Sequence, residues 1–323
     1  MLGLAVISLG CAVGLWIFTR LAPRLGLLAQ PNHRSMHSAP TAVGAGVVPA
    51  ILIAGYLLGF VPIPGAQGVA GLLLMLTLIG LSDDRWGLPS APRLASYLVA
   101  GVALPLLIFP TESFSSLTAL IALGFMGVAV AWCINLFNFM DGADGLATMQ
   151  LLSVSLGLGL IAAFGSVPAQ ELVWCCGLLF ASCLPLLVFN WPPAKVFMGD
   201  AGAIPLGFFL AVLGALAAYA DIALGVAWCV LMMPFLVDTG FTLFWRLFSG
   251  KPPHVAHRDH AYQRLALRMG SPLPVTLGLM ALQVIWQFPM AVTSVNNLLF
   301  PPLLVFLSAI PSILVVVYSR ARQ

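Results

Sequence analysis

The sequence predicts an all-α, polytopic membrane protein: a bundle of about eleven transmembrane helices in a single domain over residues 1–323. Hydrophobic residues make up 61% of the chain and charged residues only 7%, whereas a soluble domain has about 25% charged residues. Apolar runs recur along the whole chain at the length that crosses a bilayer. No polar stretch is long enough to form a second, soluble domain.

Eleven apolar runs are candidates for membrane spans, and short polar segments separate them. They lie near 1–19, 43–62, 66–82, 94–109, 116–134, 146–165, 172–189, 203–219, 222–245, 274–293 and 297–318. The first run has its positive charges, Arg20 and Arg24, after the apolar segment, whereas a cleaved signal peptide carries them before it. We therefore expect the first run to be retained as a span.

The basic residues predict the orientation of the bundle. If the N-terminus is outside and the C-terminus inside, all 13 lysines and arginines lie in or beside inner segments. These segments are the loops near 20–42, 83–93, 135–145, 190–202 and 246–273, and the C-terminal tail. The outer loops then carry only Glu112, Glu171 and Asp221. This bias follows the positive-inside rule, so we expect every carboxylate-rich motif on the cytoplasmic side.

The net charge argues against a nucleic-acid-binding protein, and the cysteine positions argue against a cysteine–histidine metal site. The net charge of +3 is too small to indicate nucleic-acid binding. The six cysteines lie in or beside apolar runs, and none stands with histidine at the spacing of metal ligands. We interpret them as small apolar residues of the interior.

The motif around which the chain is organised is Asn135–Ala147, NLFNFMDGADGLA. It places Asn138, Asp141 and Asp144 in a short polar segment between two apolar runs. Its two glycines allow the backbone to approach a ligand closely. Carboxylates at the rim of a membrane bundle are costly unless they bind a cation or a substrate, which favours a functional site over a solvated loop.

Two further inner segments carry acids. Asp83 and Asp84 directly follow the third span, and paired carboxylates can bind a divalent cation or accept a proton. The segment NWPPAKVFMGDAG, residues 190–202, places Asp200 among glycines, as a hard-cation site with oxygen ligands requires. Lys195 in the same segment is a point charge suited to a phosphate.

The last inner loop reads GKPPHVAHRDHAYQRLALRMG and contains His254, His257, Arg258 and His260. Histidine with arginine can bind a diphosphate, whereas zinc is disfavoured because no cysteine joins the cluster. From His260 onward the pattern predicts an interfacial helix that meets anionic lipid headgroups. Its apolar face comprises Tyr262, Leu265, Ala266 and Met269, and its basic face comprises Arg264 and Arg268.

Two weaker signals leave alternatives open. The first inner loop contains His33, Arg34 and His37 and a Gly44-Ala45-Gly46 turn, and it is either part of the site or a plain basic loop. Asp238 is the one acid well inside a span. It either pairs structurally within the bundle or has a role near the site.

Together these inner loops predict phosphoryl transfer at a membrane face. The reaction requires a cation and basic groups that neutralise the phosphates, and carboxylates that position the metal or the nucleophile. Oxygen ligands favour Mg²⁺, with Mn²⁺ as the alternative. A bundle wall can hold a lipid tail, so we expect a nucleotide-activated donor and a lipid acceptor.

Four stretches resemble the polyprenyl-phosphate N-acetylhexosamine-1-phosphate transferases. They are DDRWGLPSAPRL from Asp83, NFMDGADGLA from Asn138, FNWPPAKVFMGDAG from Phe189, and the histidine loop. They occur in order across almost the whole chain. Length and span number resemble the O-antigen and enterobacterial-antigen branch of the superfamily, glycosyltransferase family 4, more than its peptidoglycan branch.

The resemblance implies a role for each matching residue. Asp200 would be the main Mg²⁺ ligand, and Asp83 and Asp84 would lie near the lipid phosphate, one of them as base or metal partner. Asp141, Asp144 and Asn138 would line the same cleft. Asn190 would help to hold the nucleotide, and His257 and His260 would contact the diphosphate, beside Lys195 and Arg258, which the residue chemistry indicates. Similar enzymes tend to have HLHH in the last loop, where this chain has His257-Arg258-Asp259-His260.

The predicted reaction is attack of undecaprenyl phosphate on the β-phosphorus of a UDP-N-acetylhexosamine or its 6-deoxy relative, with release of UMP. The setting would be a bacterial inner membrane, as the first membrane step of O-antigen or envelope polysaccharide synthesis. We expect direct displacement, with an aspartyl-phosphate on Asp83 or Asp84 as the alternative. Partners are undecaprenyl phosphate, the UDP-sugar, the lipid bilayer and, as a further option, a second copy in a homodimer.

Two rival interpretations have distinguishing features. A secondary transporter places its binding residues near the midplane on broken helices, whereas here the acids lie at one rim. CDP-alcohol phosphatidyltransferases continue their Asp-Gly motif to an alanine-arginine pair, which DGADGLA does not contain.

Overall fold

A computed structural model describes residues 2–30, 40–60, 63–165, 169–251, 257–296 and 298–321, with the backbone alone at 111. His33, Arg34, His37, His254 and Arg322, which the sequence singled out, lie outside these ranges. The described part of the chain contains thirteen α-helices. They are α1 Leu2–Leu21, α2 Val47–Gly59, α3 Ala66–Trp86, α4 Ser90–Ile108, α5 Leu117–Met140, α6 Leu146–Phe164, α7 Gln170–Asn190, α8 Asp200–Ala220, α9 Ile222–Phe248, α10 Ala261–Met269, α11 Leu273–Leu282, α12 Phe288–Val295 and α13 Pro301–Ala321.

The predicted class, an all-α polytopic membrane bundle, is confirmed. Ten helical segments in the described residues are long and apolar enough to cross a membrane, when α11 and α12 are counted as one continuous span with the π-helical turn Gln283–Gln287 between them. The second predicted span, 43–62, is the shorter helix α2, with 13 residues. It begins late because the N–H groups of Ala45 and Gly46 are bonded to Phe197 and Met198 of a distant segment.

Two predicted loops are shorter in the structure. Asp83 and Asp84 lie in the last turn of α3, and Asn138 lies in the last turn of α5, so the connecting segments are 87–89 and 141–145. The helices continue past the end of the apolar sequence because these polar side chains find partners on neighbouring segments.

The most deeply buried helix is α8. Buried residues make up 15 of its 21 positions, and it packs against α2, α3, α4, α5, α7 and α9. A helix that is apolar all round belongs in the interior. Its first residue, Asp200, therefore lies at the centre of the end of the bundle where α3, α5 and α7 finish. We call this the acidic end.

A small β-structure closes the acidic end beside α8. Strand β1, Leu28–Ala29, pairs antiparallel with β2, Thr41–Ala42. Ala42 also forms a parallel bridge to Val196. These contacts hold the first inner loop against the segment that leads into Asp200.

Candidate active site

A cavity of about 320 Å³ opens at the acidic end of the bundle. It brings together residues from the α5–α6 loop, the segment before α8, and α10. Seven of the predicted site residues line it: Asp84, Asn138, Asp141, Asp144, Asn190, Asp200 and Arg258. The cavity is therefore rich in carboxylates.

Close backbone contact between α3 and α8 places the acids of both helices together. A Cβ atom added at Gly80 would lie 2.1 Å from the carbonyl oxygen of Asp200, so only glycine permits this approach. Asp84, one turn further along α3, then accepts the N–H groups of Asp200 and Ala201, both at 2.9 Å. A carboxylate at the N-terminus of a helix is stabilised by the orphan N–H groups and the helix dipole.

Gly199 completes the N-terminus of α8. Its φ of +70° is a conformation that side chains rarely adopt. A Cβ atom there would also lie 2.5 Å from Oδ2 of Asp84. Asp84 thus holds the start of α8, which carries Asp200.

Asp83 and Asp200 share one guanidinium. Arg93 Nη1 donates to Oδ2 of Asp83 and, at 2.9 Å, to Oδ2 of Asp200. Asn138 Nδ2 donates to the other oxygen of Asp200 at 2.9 Å. The sequence singled out Arg93 only as a basic residue that marks topology, because nothing local shows that its side chain reaches two acids.

The α5–α6 loop contributes the other two acids. Burial, followed by the neighbouring carboxylates of Asp200, Asp84 and Asp144, raises the pKa of Asp141 well above its ordinary value. Asp144 Oδ2 accepts the Ala194 N–H at 2.9 Å, which ties the loop to the segment before α8. Burial and the neighbouring carboxylates therefore both favour the protonated form of Asp141.

Asn190 binds two neighbouring loops and Lys195 lies outside the cavity, whereas the sequence predicted that Asn190 holds the nucleotide and that Lys195 binds a phosphate. Asn190 is 3% exposed, and its Oδ1 accepts the Gly145 N–H and the Thr148 hydroxyl, both at 3.0 Å. Its Nδ2 donates to Val196 O at 2.9 Å, so the amide is used to hold the two loops together. Lys195 is exposed and does not line the cavity.

The residues of the histidine loop lie in different environments: only Arg258 lines the cavity. Arg258 lines the cavity, and its buried Nη2 has no hydrogen-bond partner among the described residues. His260 is buried away from the cavity, with Nδ1 3.3 Å from Asp238 Oδ1. His257 stacks on His260 at 5.1 Å between ring centroids, and burial, with the nearby charges, lowers its pKa to about 4. Its ring packs against His260 and does not line the cavity.

The predicted interfacial helix is present as α10, but its arginines bind protein groups. Arg264 Nη2 lies 3.2 Å from Asp259 Oδ1, and Arg246 pairs with the other oxygen of Asp259. Arg268 Nη2 donates to Ser319 O at 2.7 Å. Arg268 therefore contacts α13, and Arg264 contacts Asp259 just before α10, which Arg246 of α9 also binds, whereas the sequence led us to expect lipid headgroups at this face.

Gln263 is a cavity residue that the sequence did not indicate. It lines the cavity from α10, and its buried Oε1 has no hydrogen-bond partner among the described residues. A glutamine on an amphipathic helix gives no signal of function by itself. The unpaired polar atoms of Gln263 and Arg258 at one wall indicate a polar ligand.

The donor set of the cavity suits a hard cation. Asp84, Asp141, Asp200 and Asn138 present oxygen atoms to one cavity, which is the ligand chemistry of Mg²⁺. Within the described ranges, no three His, Cys, Asp or Glu side chains are grouped as metal ligands. Arg93 pairs with Asp200 at the place where a cation would neutralise it.

An apolar groove of about 260 Å³ lies on the other side of α10. Tyr262, Leu265 and Met269 line it, whereas Gln263 and Leu267 of the same helix line the acidic cavity. Met140 and Leu146, at the two ends of the α5–α6 loop, also line the groove. The cavity and the groove thus share α10 and this loop as their common wall.

Comparison with known proteins places this arrangement in a family. The model for glycosyl transferase family 4 matches residues 66–218. A decaprenyl-phosphate N-acetylglucosaminephosphotransferase of Mycolicibacterium smegmatis is 32% identical over 316 residues, which cover 81% of this chain and 75% of that protein. The chain belongs to glycosyl transferase family 4. It is a member of the superfamily of polyprenyl-phosphate hexosamine-1-phosphate transferases.

Other family 4 relatives have related names. A probable undecaprenyl-phosphate N-acetylglucosaminyl 1-phosphate transferase of Bacillus subtilis is 29% identical over 266 residues, 77% of this chain and 72% of the relative. A phospho-N-acetylmuramoyl-pentapeptide-transferase of Chlamydia trachomatis is 30% identical over 206 residues, 55% of this chain and 61% of the relative. The family 4 match includes all five site carboxylates but ends before α10.

Proposed function

We propose that this protein transfers an N-acetylhexosamine 1-phosphate from a UDP-sugar to undecaprenyl phosphate and releases UMP. The observation that carries the proposal is the common wall: a polar, carboxylate-rich cavity and an apolar groove meet at α10 and the α5–α6 loop. Phosphoryl transfer between a soluble donor and a lipid needs such a pair of sites in contact.

The donor diphosphate would lie in the cavity against Arg258. Its buried Nη2 has no partner among the described residues, and an arginine fork matches phosphate oxygens. Gln263 on the same wall offers its amide to the nucleotide or the sugar. The carboxylates opposite repel a phosphate unless a cation intervenes.

The acceptor tail would lie in the apolar groove, with its phosphate directed toward the acidic cavity. An oxygen of that phosphate attacks the β-phosphorus of the donor, the bond from this phosphorus to the bridging oxygen breaks, and UMP leaves with that oxygen. A lipid phosphate is already largely ionised near neutral pH, so positioning and charge neutralisation are the main requirements.

Direct displacement fits the acid pair better than a covalent intermediate. Both oxygens of Asp84 accept backbone N–H groups of α8, and Asp83 pairs with Arg93. A nucleophilic carboxylate would have to give up these partners. Trapping a phosphorylated enzyme with the donor alone would overturn this part of the proposal.

We propose Mg²⁺ as the cofactor, with Mn²⁺ as a substitute, held by Asp200 with carboxylates of the same cavity. When bound, the cation neutralises charge on the phosphates. Asn138 orients Asp200 through its bond to Oδ1. Arg93 balances the charge of Asp83 and Asp200 in the metal-free protein.

The site would face the cytoplasm of a bacterial inner membrane, where UDP-sugars are made. The support is the distribution of the 13 basic residues, which favours an outside N-terminus and an inside C-terminus with the short helix α2 as the eleventh crossing. The assignment to O-antigen synthesis remains a prediction from the sequence. Relatives in B. subtilis and M. smegmatis are named for N-acetylglucosamine, so we propose this sugar as the first donor to test.

The test is to incubate purified protein in detergent with undecaprenyl phosphate, Mg²⁺ and a panel of UDP-sugars. UMP release and the mass of the lipid product identify the reaction and the sugar. The matched pair is Arg258→Gln and Lys195→Gln, each of which removes one cation. Since a hydrogen bond to a charged group contributes about 1.5–3 kcal/mol, Arg258→Gln should raise the donor KM by roughly 10- to 100-fold. Lys195→Gln should stay within about twofold of wild type, because Lys195 lies outside the cavity.

Two results would contradict the proposal. UMP release with none of the sugars, combined with solute uptake into vesicles, would favour a transporter. Equal effects of Arg258→Gln and Lys195→Gln on the donor KM would show that the donor does not bind at Arg258.

A further inference from the structure

Asp238 caps a helix to which it does not belong. It lies in α9, within a membrane span, and is 5% exposed. Its Oδ1 accepts the Ala261 N–H at 2.9 Å, and its Oδ2 accepts the Tyr262 N–H at 3.1 Å. These are the first N–H groups of α10, which have no partners within the helix. A buried carboxylate in a span is costly, and here the exposed end of another helix compensates for it.

Side chains near Asp238 attach the start of α10 at further points. Thr242 Oγ1 donates to Asp238 Oδ1 at 3.3 Å, and His260 Nδ1 lies 3.3 Å from the same oxygen. The Tyr262 ring stacks on His260, and its hydroxyl donates to Phe139 O at 2.9 Å. The N-terminus of α10 is thus fixed to both α9 and the end of α5.

The position of α10 determines which side chains line the acidic cavity and which line the apolar groove. Arg258 precedes the helix, and Gln263 lies in its first turn; both line the acidic cavity. Tyr262 and Leu265 line the apolar groove. A rotation or displacement of α10 would therefore move the polar groups of one pocket and the apolar wall of the other at the same time.

We propose that Asp238 is a positioning residue, which holds α10 so that Arg258 and Gln263 face the donor diphosphate. The inference rests on the proposed function, because it takes the ligand of the cavity to be a UDP-sugar. It assigns Asp238 a role near the site, although the side chain does not line the cavity. This role is one of the two alternatives that the sequence predicts for Asp238.

The first measurement concerns α10 itself and needs no ligand. Asparagine at 238 keeps one acceptor oxygen and turns an N–H donor toward the second backbone N–H, so Asp238→Asn should release the helix. The control is Asp221→Asn, because Asp221 Oδ1 likewise caps a helix, α9, by accepting the Ala223 N–H. Hydrogen exchange of peptides from 261–269 should become about tenfold faster in Asp238→Asn and stay unchanged in Asp221→Asn. Unchanged exchange in Asp238→Asn would overturn the proposal.

The second measurement is donor affinity by calorimetry with UDP-N-acetylglucosamine and no lipid acceptor. Asp238→Asn should weaken binding about tenfold, and Asp221→Asn should not change it. In an Arg258→Gln background, Asp238→Asn should change the affinity by clearly less than in the wild-type background, since only the part of its effect that passes through Gln263 remains. Additive effects of the two substitutions, or wild-type affinity in Asp238→Asn, would overturn the positioning role.

A milder variant covers the case in which Asp238→Asn does not fold. Tyr262→Phe removes the hydroxyl that binds Phe139 O and also lies beside the Gln263 side chain and the Gly142 backbone, and it should weaken donor binding by about threefold, whereas wild-type affinity would count against the proposal. If the wild-type protein binds none of the UDP-sugars, the proposed function fails. The exchange measurement then decides whether Asp238 holds α10.

Discussion

The contact between α3 and α8 at Gly80 gives the sharpest prediction. Gly80→Ala adds one methyl group where a Cβ atom would lie 2.1 Å from the carbonyl oxygen of Asp200. Ordinary contact begins at 3.4 Å, so the two helices must separate locally by about 1.3 Å, the difference between these distances. That movement would shift Asp83 and Asp84, which follow Gly80 on α3, relative to Asp200.

Gly71→Ala is the matched control on the same helix. A Cβ atom at Gly71 meets no atom of the described residues within 4 Å. Both substitutions give α3 the same gain in helix propensity, so their difference reports the contact alone. Overpacking costs about 1–3 kcal/mol, and we expect Gly80→Ala to be less stable than Gly71→Ala by this amount.

The effect on catalysis should exceed the effect on binding. Misplacement of reacting groups by about 1 Å can lower a rate by roughly 100-fold, so Gly80→Ala should lose about this factor in UMP release. Donor affinity should stay within about threefold of wild type, because Arg258 and Gln263 are on another wall of the cavity. The assay compares turnover, calorimetric affinity and thermal midpoint of both variants in one detergent. Turnover of Gly80→Ala within about threefold of Gly71→Ala would refute the argument that this contact sets the geometry of the acids.

Three further predictions concern the metal, pH and topology. Asp200→Asn should lower UMP release by at least about 100-fold and weaken Mn²⁺ binding, measured by electron paramagnetic resonance, by at least about tenfold; wild-type Mn²⁺ affinity would exclude Asp200 as a ligand. The pKa of His257 is lowered to about 4 from an ordinary 6.5, so stability from its neutral form is complete above pH 6.5 and falls as the pH drops toward 4. His257→Gln should therefore flatten the dependence of the thermal midpoint on pH between 6.5 and 4, and an unaltered slope would show that His257 titrates normally. A cysteine at 171 should react with a membrane-impermeant maleimide from outside and a cysteine at 251 only after the membrane is opened; the reverse pattern would invert the bundle.

Asp83 and Asp84 illustrate what the local sequence predicts and what it does not. The adjacent carboxylates at 83 and 84 predicted a site, and the structure places both near Asp200. The sequence did not predict that Asp83 and Asp84 have different partners, because Asp84 binds the start of α8, which is 116 residues away in the chain. Backbone N–H groups at a helix start are present in every sequence, and only the approach of α3 to α8 selects which acid receives them.

The last loop shows the same limit. Its histidines and arginines looked equivalent as diphosphate ligands, but folding separates them: Arg258 lines the cavity, whereas His260 turns toward Asp238. Helical spacing predicted α10 correctly. It did not predict that Asp259 would bind Arg246 and Arg264, which ties Arg264 to protein groups, whereas Arg268 is exposed.

The sequence by itself determined the class of the fold, the position of nearly every span and the segments that carry the acids. Hydropathy and charge are properties of short segments, and a bilayer sorts segments by these properties alone. The tertiary structure decided which polar groups are partners: Arg93 with two acids, Asn190 with two loops, and Asp238 with α10. A buried polar group must find a partner, but that partner lies wherever the packing of distant helices brings a donor or an acceptor within about 3 Å.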